Sequence, residues 1–208
     1  MSPKAAFVNA LTFARVPLIF IWLALALVEE FNSSPPVIFF AGAAMFLSGI
    51  TDAFDGALAR KWNVVSPLGK MADPLMDKVF YVVAFPALTW LVLHQGDSVH
   101  SVVMLLFTIL YILRDLWVTF LRSVGTLFGA DGSAMWLGKV RTALSFPAAG
   151  WIYAYIVFND CEIVKGWEGA MLVSCYAVEG FMIALNLVSF VTYTRAYKPY
   201  LKKALEHR

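Results

Sequence analysis

Six apolar stretches, each close to the roughly 20 residues a helix needs to cross a bilayer, dominate this 208-residue chain. They run approximately over 8–28, 36–58, 68–93, 101–122, 136–158 and 169–193, with short polar connections between them. Soluble domains are about one-quarter charged, whereas 14% of this chain is charged and 61% is hydrophobic. Lipid has to cover the excess. The expected fold class is therefore all-α: one polytopic membrane domain over 1–208 with six transmembrane helices and no room for a second soluble domain. No linker, low-complexity tract or internal repeat interrupts it. A single Lys4 precedes the first stretch without a small-residue cleavage site, so that stretch is read as a retained span.

Charge sidedness orients the bundle. Lys4, Arg15, Arg60, Lys61, Lys70, Lys78, Arg114, Arg122, Lys139, Arg141, Arg195, Lys198, Lys202, Lys203 and Arg208 fall on one side of the six-span arrangement. The other side carries Glu29, Glu30, Asp97, Asp160, Glu162 and Glu168, with Lys165 its lone base. Basic residues stay cytoplasmic, which places both termini and the loops after spans two and four in the cytoplasm. The basic run from Arg195 to Lys203 reads as an anchor to anionic headgroups. Cys161 and Cys175 are too few for a disulfide framework and lack metal-ligand spacing, and Cys175 reads as a buried small residue.

Chemistry concentrates between Asp52 and Asp77. Asp52, Asp55 and Ala59 lie three and four apart and share a helical face near the cytoplasmic end of span two. Asp73 and Asp77 are four apart, with Gly69 one turn back on the same face. Ser66 and Pro67 supply an N-cap and a first-turn proline for span three. The two helices then form an antiparallel pair whose acidic faces meet. Four carboxylates in a membrane-embedded site repel one another, and structural pairing with Arg60, Lys61, Lys70 and Lys78 is the plainer alternative. Divalent cations relieve the repulsion better than protons do. All-oxygen ligation suits Mg²⁺, Mn²⁺ or Ca²⁺, and four acids suffice for two ions clamping a phosphate displacement. Gly56 and Gly69 remove side chains where a bulky ligand or neighbouring helix comes close.

Asp52-x-x-Asp55-Gly56-x-x-Ala59-Arg60, eight residues, then Gly69-x-x-x-Asp73-x-x-x-Asp77 resembles the complete signature of the CDP-alcohol phosphotransferase family. That resemblance implies six membrane helices, a homodimer and a cytoplasm-facing di-metal site, with two Mg²⁺ or Mn²⁺ ions. It implies Asp52, Asp55, Asp73 and Asp77 as metal ligands and Asp77 also as general base. Asp52, Gly56, Ala59, Arg60 and Gly69 would line the CDP site, and a bacterial inner membrane is the expected location.

Further stretches resemble the phosphatidylglycerophosphate synthase branch of that family. They are the Asn9–Arg15 opening, Asp73-Pro74-Leu75-Met76-Asp77-Lys78, Arg114-Asp115, Leu121-Arg122 and the Trp136–Ala143 run. The implied reaction transfers the phosphatidyl group of CDP-diacylglycerol to glycerol 3-phosphate and releases CMP. Asp77 would take the proton of the acceptor hydroxyl. Glycerol 3-phosphate is a dianion and needs cations, for which Arg114, Arg122, Lys139 and Arg141 are the candidates. Arg114 lies two turns inside Arg122 and is read as a ligand-site residue rather than only a partner of Asp115. For Lys139 and Arg141 the positive-inside bias remains an open alternative.

Asp115 stands where the synthase branch usually carries Glu, and Arg-Asp there also resembles the cardiolipin synthases, whose acceptor is phosphatidylglycerol. Leu121-Arg122 and Gly138-Lys139-x-Arg141-Thr142 favour the glycerophosphate reading. Intramembrane acids also mark cation-coupled transporters. Those more often hold acids near the midplane on broken, repeated helices, whereas here the acids lie at the boundary. Among the remaining polar residues, Glu179 is expected to face the interior beside Asn186. His94 and His100 are placed in an outer loop, and Trp151 and Tyr197 read as interface or packing aromatics.

Overall fold

The computed structural model describes residues 3–31, 34–64, 66–159 and 166–206. Side chains at 29–31, 52, 53, 67, 68, 70, 71 and 73 lie outside that set, so the expectations for Asp52, Asp73, Lys70 and Cys161 fall beyond it. Among the described residues the chain forms six α-helices and no strand. They are α1 (Pro3–Phe31), α2 (Pro35–Lys61), α3 (Pro67–His94), α4 (Ser98–Leu127), α5 (Trp136–Asn159) and α6 (Glu168–Glu206).

The helix starts follow local chemistry. Ser66 caps α3, its Oγ accepting from the Gly69 amide at 2.9 Å, with proline in the first turn as the sequence predicts. Ser66 Oγ also donates to Asn9 Oδ1 at 2.9 Å, which ties the start of α3 to α1. Asp97 caps α4 by accepting from the His100 amide at 2.9 Å. The α2–α3 turn passes through Asn63 at φ 54°, a left-handed position that asparagine tolerates.

Among the described residues five helices are long and apolar enough to cross a membrane: α1, α2, α4, α6 and the Pro74–His94 part of α3. The exception, α5, carries Lys139, Arg141 and Pro147 within 24 residues. It nevertheless packs lengthwise along α6. Arg141 reaches Asn186, and ten residues on Trp151 reaches Ser174, so α5 runs antiparallel to α6. Arg114 meets Ser189 and Trp117 meets Thr194, so α4 and α6 run parallel.

An aromatic and aliphatic core fills the bundle, with Ile19, Trp22, Phe85, Leu88, Phe107 and Ile152 fully buried. Phe85 lies 4.7 Å from the Phe107 ring and 4.9 Å from the Tyr111 ring, both edge-on. Phe39, Phe46, Val99, Leu116 and Val173 instead face outward, an arrangement that suits lipid and not water. Exposed apolar residues outside and buried polar residues inside are what a membrane bundle requires.

Three expectations are corrected. His94 does not lie in a loop but ends α3. α4 begins at Ser98, so His100 is not in a loop: it sits in the first turn, fully buried, with Nε2 2.6 Å from Glu179 Oε1. Glu179 does face the interior, but its partner is His100, because Asn186 is taken by Arg141 at 3.2 Å. The helix caps explain the miss, since Asp97 lets α4 start one turn before its apolar run. Likewise α6 continues through Arg195–Lys203 to Glu206, so its 39 residues span about 58 Å at 1.5 Å per residue. Cys175 is fully buried, as expected. Tyr197 is buried and donates to the Asp131 carbonyl at 3.1 Å.

Candidate active site

The expected pairing of α2 with α3 is corrected: both pack on α1 rather than closely on each other, and among the described acids Asp55 and Asp77 are joined through a cation from α1. Arg15 donates from Nη2 to Asp55 Oδ2 and from Nη1 to Asp77 Oδ1, each at 2.8 Å. Thr12, one turn earlier on α1, donates to the same Asp55 oxygen at 2.7 Å. Arg15 and Asp55 are almost completely buried, while Asp77 is 28% exposed toward the cavity described below. Charge-assisted hydrogen bonds of this kind hold a carboxylate in one orientation. In the sequence Thr12 stands out only within the Asn9–Arg15 stretch, and Arg15 there and among the one-sided cations. The signal for a site role was an arginine inside the first apolar stretch, because an intramembrane cation always needs a partner.

Asp55 and Asp77 come from different helices and converge on one guanidinium, so their oxygens face a common point. Arg15 fills that point, while the carboxylates themselves are the hard oxygen donors that Mg²⁺ or Mn²⁺ takes. Among the described residues no three acids, histidines or cysteines converge; the side chains of Asp52 and Asp73 lie outside that set. His100 lies about four turns before Asp115 on α4, at the helix start.

The glycines of the motif have different surroundings. A Cβ at Gly56 would lie 3.4 Å from Arg60 Nη1, so Arg60 folds back over it. A Cβ at Gly69 would come within 3.0 Å of Ser66 Oγ and 3.3 Å of Asn9 Oδ1. Gly69 thus serves the α3 cap and the α1–α3 contact, whatever else passes it. Ala59 is half-buried on α2.

A cavity of about 700 Å³ opens beside Asp77. Arg15, Arg60, Asp77 and Lys78 line it from α1, α2 and α3, and Arg114, Asp115, Arg122, Lys139 and Arg141 from α4 and α5. All four residues assigned to the acceptor phosphate therefore share one chamber with the candidate base. They are not equally free. Arg141 is fully buried, bonded to Asp115 at 2.8 Å and set 4.0 Å over the Tyr111 ring. Arg114 donates to the Ser189 hydroxyl and lies 5.0 Å over the Tyr193 ring. Its Nη1 is 3.8 Å from Asp115, a weaker contact than Arg141 makes.

Arg122 donates through Nε to the Gly132 carbonyl at 2.7 Å. Lys139 is exposed at the start of α5. Gly132 sits in a turn where the Ser133 hydroxyl and amide donate to Asp131 at 2.7 and 3.0 Å. Those bonds hold the Asp131 carboxyl below its ordinary range. The turn's stabilisation is present at neutral pH and is lost only as pH falls through that lowered value.

Close helix approaches shape the chamber. A Cβ at Gly49 would lie 2.1 Å from the Phe146 ring, and one at Gly138 would lie 2.7 Å from the Tyr193 hydroxyl. Phe146 also borders a second, almost wholly apolar cavity of about 930 Å³ between α2 and α5. Ile38, Phe39, Phe46, Pro147 and Tyr153 line it. A polar chamber and an apolar groove thus share one wall.

The CDP-alcohol phosphatidyltransferase family model matches residues 6–193. This chain belongs to the CDP-alcohol phosphatidyltransferase family. It is accordingly an integral membrane enzyme, a transferase of phospholipid biosynthesis. A relative in Bacillus subtilis (strain 168), the CDP-diacylglycerol–glycerol-3-phosphate 3-phosphatidyltransferase, is 32% identical over 186 residues. That match covers 77% of this chain and 91% of the relative. The protein of the same name in Escherichia coli (strain K12) is 33% identical over 116 residues, 54% of this chain and 60% of its own length. The family match takes in the whole signature from Asp52 to Asp77 and both walls of the chamber.

Proposed function

We propose that this enzyme transfers the phosphatidyl group of CDP-diacylglycerol to glycerol 3-phosphate, giving phosphatidylglycerophosphate and CMP. The observation that carries the reading is the shared chamber, in which Asp77 faces Arg114, Arg122, Lys139 and Arg141. A small dianionic acceptor needs such cations within reach of a base, and a lipid acceptor needs fewer of them. The names of the B. subtilis and E. coli relatives support the same acceptor.

Asp77 takes the proton of the acceptor's primary hydroxyl, whose oxygen attacks the phosphorus bearing diacylglycerol as the bond to CMP breaks. Arg15 holds the Asp77 carboxylate in place. Asp52, Asp55, Asp73 and Asp77 are the residues to hold two Mg²⁺ or Mn²⁺ ions, and bound ions would supply charge neutralisation at the reacting phosphate. Asp52, Gly56, Ala59, Arg60 and Gly69 form the CDP side. The apolar cavity between α2 and α5, adjoining the chamber at Phe146, suits acyl chains.

The proposal includes α5 as a sixth crossing, because it returns the chain between the parallel helices α4 and α6. It also includes a homodimer, cytoplasmic termini and site, and a bacterial inner membrane. Mass spectrometry of the lipid product tests the acceptor directly. Phosphatidylglycerophosphate is expected from CDP-diacylglycerol and glycerol 3-phosphate. Cardiolipin formed from phosphatidylglycerol, with no glycerophosphate product, would overturn the assignment.

A further inference from the structure

On the chamber wall of α4, a carboxylate stands where three cations from three helices meet. Asp115 Oδ1 accepts from Arg141 Nη2 of α5 at 2.8 Å and lies 3.8 Å from Arg114 Nη1 of α4. Its other oxygen, Oδ2, is 3.1 Å from Lys78 Nζ of α3. The two carboxylate oxygens thus link α4 to α5 and to α3 respectively. Arg141 is buried and has little freedom, whereas the Lys78 side chain is 34% exposed in the chamber. Lys78 also donates to Thr119 Oγ1 at 2.8 Å. Asp77 and Lys78 are neighbours in α3, yet Asp77 turns to Arg15 on α1 and Lys78 turns to α4. The chamber is set out by that division, with the base on one side and the lysine on the other.

We propose that Asp115 is a positioning residue for the acceptor, holding Lys78 and Arg141 where they receive its phosphate while its hydroxyl reaches Asp77. The inference rests on the acceptor assigned above. Asp115 does not itself bind the acceptor, since a carboxylate repels a dianion; it acts through the cations. Three cations less one acid leave a net +2 at this wall, the complement of a phosphate dianion. An amide at this position would leave the cations mutually repelling and Lys78 free to leave the wall. Glutamate would keep the charge but push the bridge outward by about one C–C bond, roughly 1.5 Å.

The test is steady-state kinetics of CMP release for the wild-type enzyme, Asp115→Asn and Asp115→Glu, with each substrate varied and thermal stability recorded. Asp115→Asn is expected to raise KM for glycerol 3-phosphate about tenfold or more, the scale of a lost charge-assisted contact. KM for CDP-diacylglycerol should change by less than about twofold, because the CDP side is untouched. Asp115→Glu should recover part of the acceptor KM. Lys78→Gln should show the same acceptor-specific rise, and adding Asp115→Asn to it should cost little more. Lys78→Gln by itself keeps the test decisive if Asp115→Asn does not fold, since an unmoved acceptor KM there overturns the inference.

Unchanged acceptor KM in folded Asp115→Asn would overturn the inference. So would lower stability with both KM values unmoved, which marks a purely structural ion pair. Wild-type release that does not depend on glycerol 3-phosphate removes the acceptor reading, and this inference with it. Dependence in the wild type with no KM shift in the variants removes the inference alone.

Discussion

Arg15 and Asp77 show how much one contact decides. Asp77 is partly exposed to the chamber, and Arg15 fixes its carboxylate from the buried side at 2.8 Å. Asp77→Asn keeps the shape and removes the base, so turnover should fall to background while CDP-lipid binding survives. Measuring both on one preparation checks it, and full activity would refute the role. Arg15→Gln should lower kcat by about tenfold or more, on the scale of a lost charge-assisted bond that orients a reacting group. It should also change Mn²⁺ affinity, read by electron paramagnetic resonance without turnover. An unaltered affinity and kcat would show that Arg15 is only a structural partner.

At this scale the acids were legible, because three- and four-residue spacing reports neighbours on one helix. The partners of Arg15 lie 40 and 62 residues away, and no local spacing encodes that. Arg114, Lys139 and Arg141 were legible as candidates. Their unequal freedom was not, because it depends on Ser189, Asn186 and the Tyr111 ring.

Between elements, two contacts carry predictions. His100 and Glu179 join α4 to α6 through a fully buried bond of 2.6 Å. His100→Ala or Glu179→Ala leaves a buried polar partner unsatisfied, at a cost of about 1–3 kcal/mol. Thermal unfolding in detergent should show the loss, and the paired apolar replacement His100→Leu with Glu179→Met should recover part of it. Gly49→Ala should be destabilising by about 1–3 kcal/mol through overpacking on Phe146. Adding Phe146→Ala should relieve it; no relief would mean that α2 and α5 do not approach as described.

Apolar length located all six helices, yet it misplaced their ends. α4 starts early because Asp97 caps it, and α6 runs on because lysine and arginine are good helix formers beyond the apolar run. Hydropathy measures contact with lipid, whereas a helix stops where backbone hydrogen bonding stops.

For the whole molecule, the basic residues gather at the end of the bundle that holds the chamber, and that bias is the basis for placing it in the cytoplasm. Single cysteines introduced at Lys4 and Lys202 should react with impermeant reagents only after the inner face of the membrane is opened. Labelling from outside intact cells would reverse the orientation. The span pattern and the charge bias were legible together because the bilayer imposes both on the chain. The joining of a cation-rich chamber to an apolar groove at Phe146 was not, since it depends on how α2, α3 and α5 pack.

CMP release by purified enzyme, given CDP-diacylglycerol and Mg²⁺ or Mn²⁺ with and without glycerol 3-phosphate, tests the central claim most directly. The account predicts release that requires glycerol 3-phosphate and disappears in Asp77→Asn. Folded, metal-loaded enzyme that releases no CMP, or releases it equally from Asp77→Asn, would contradict it.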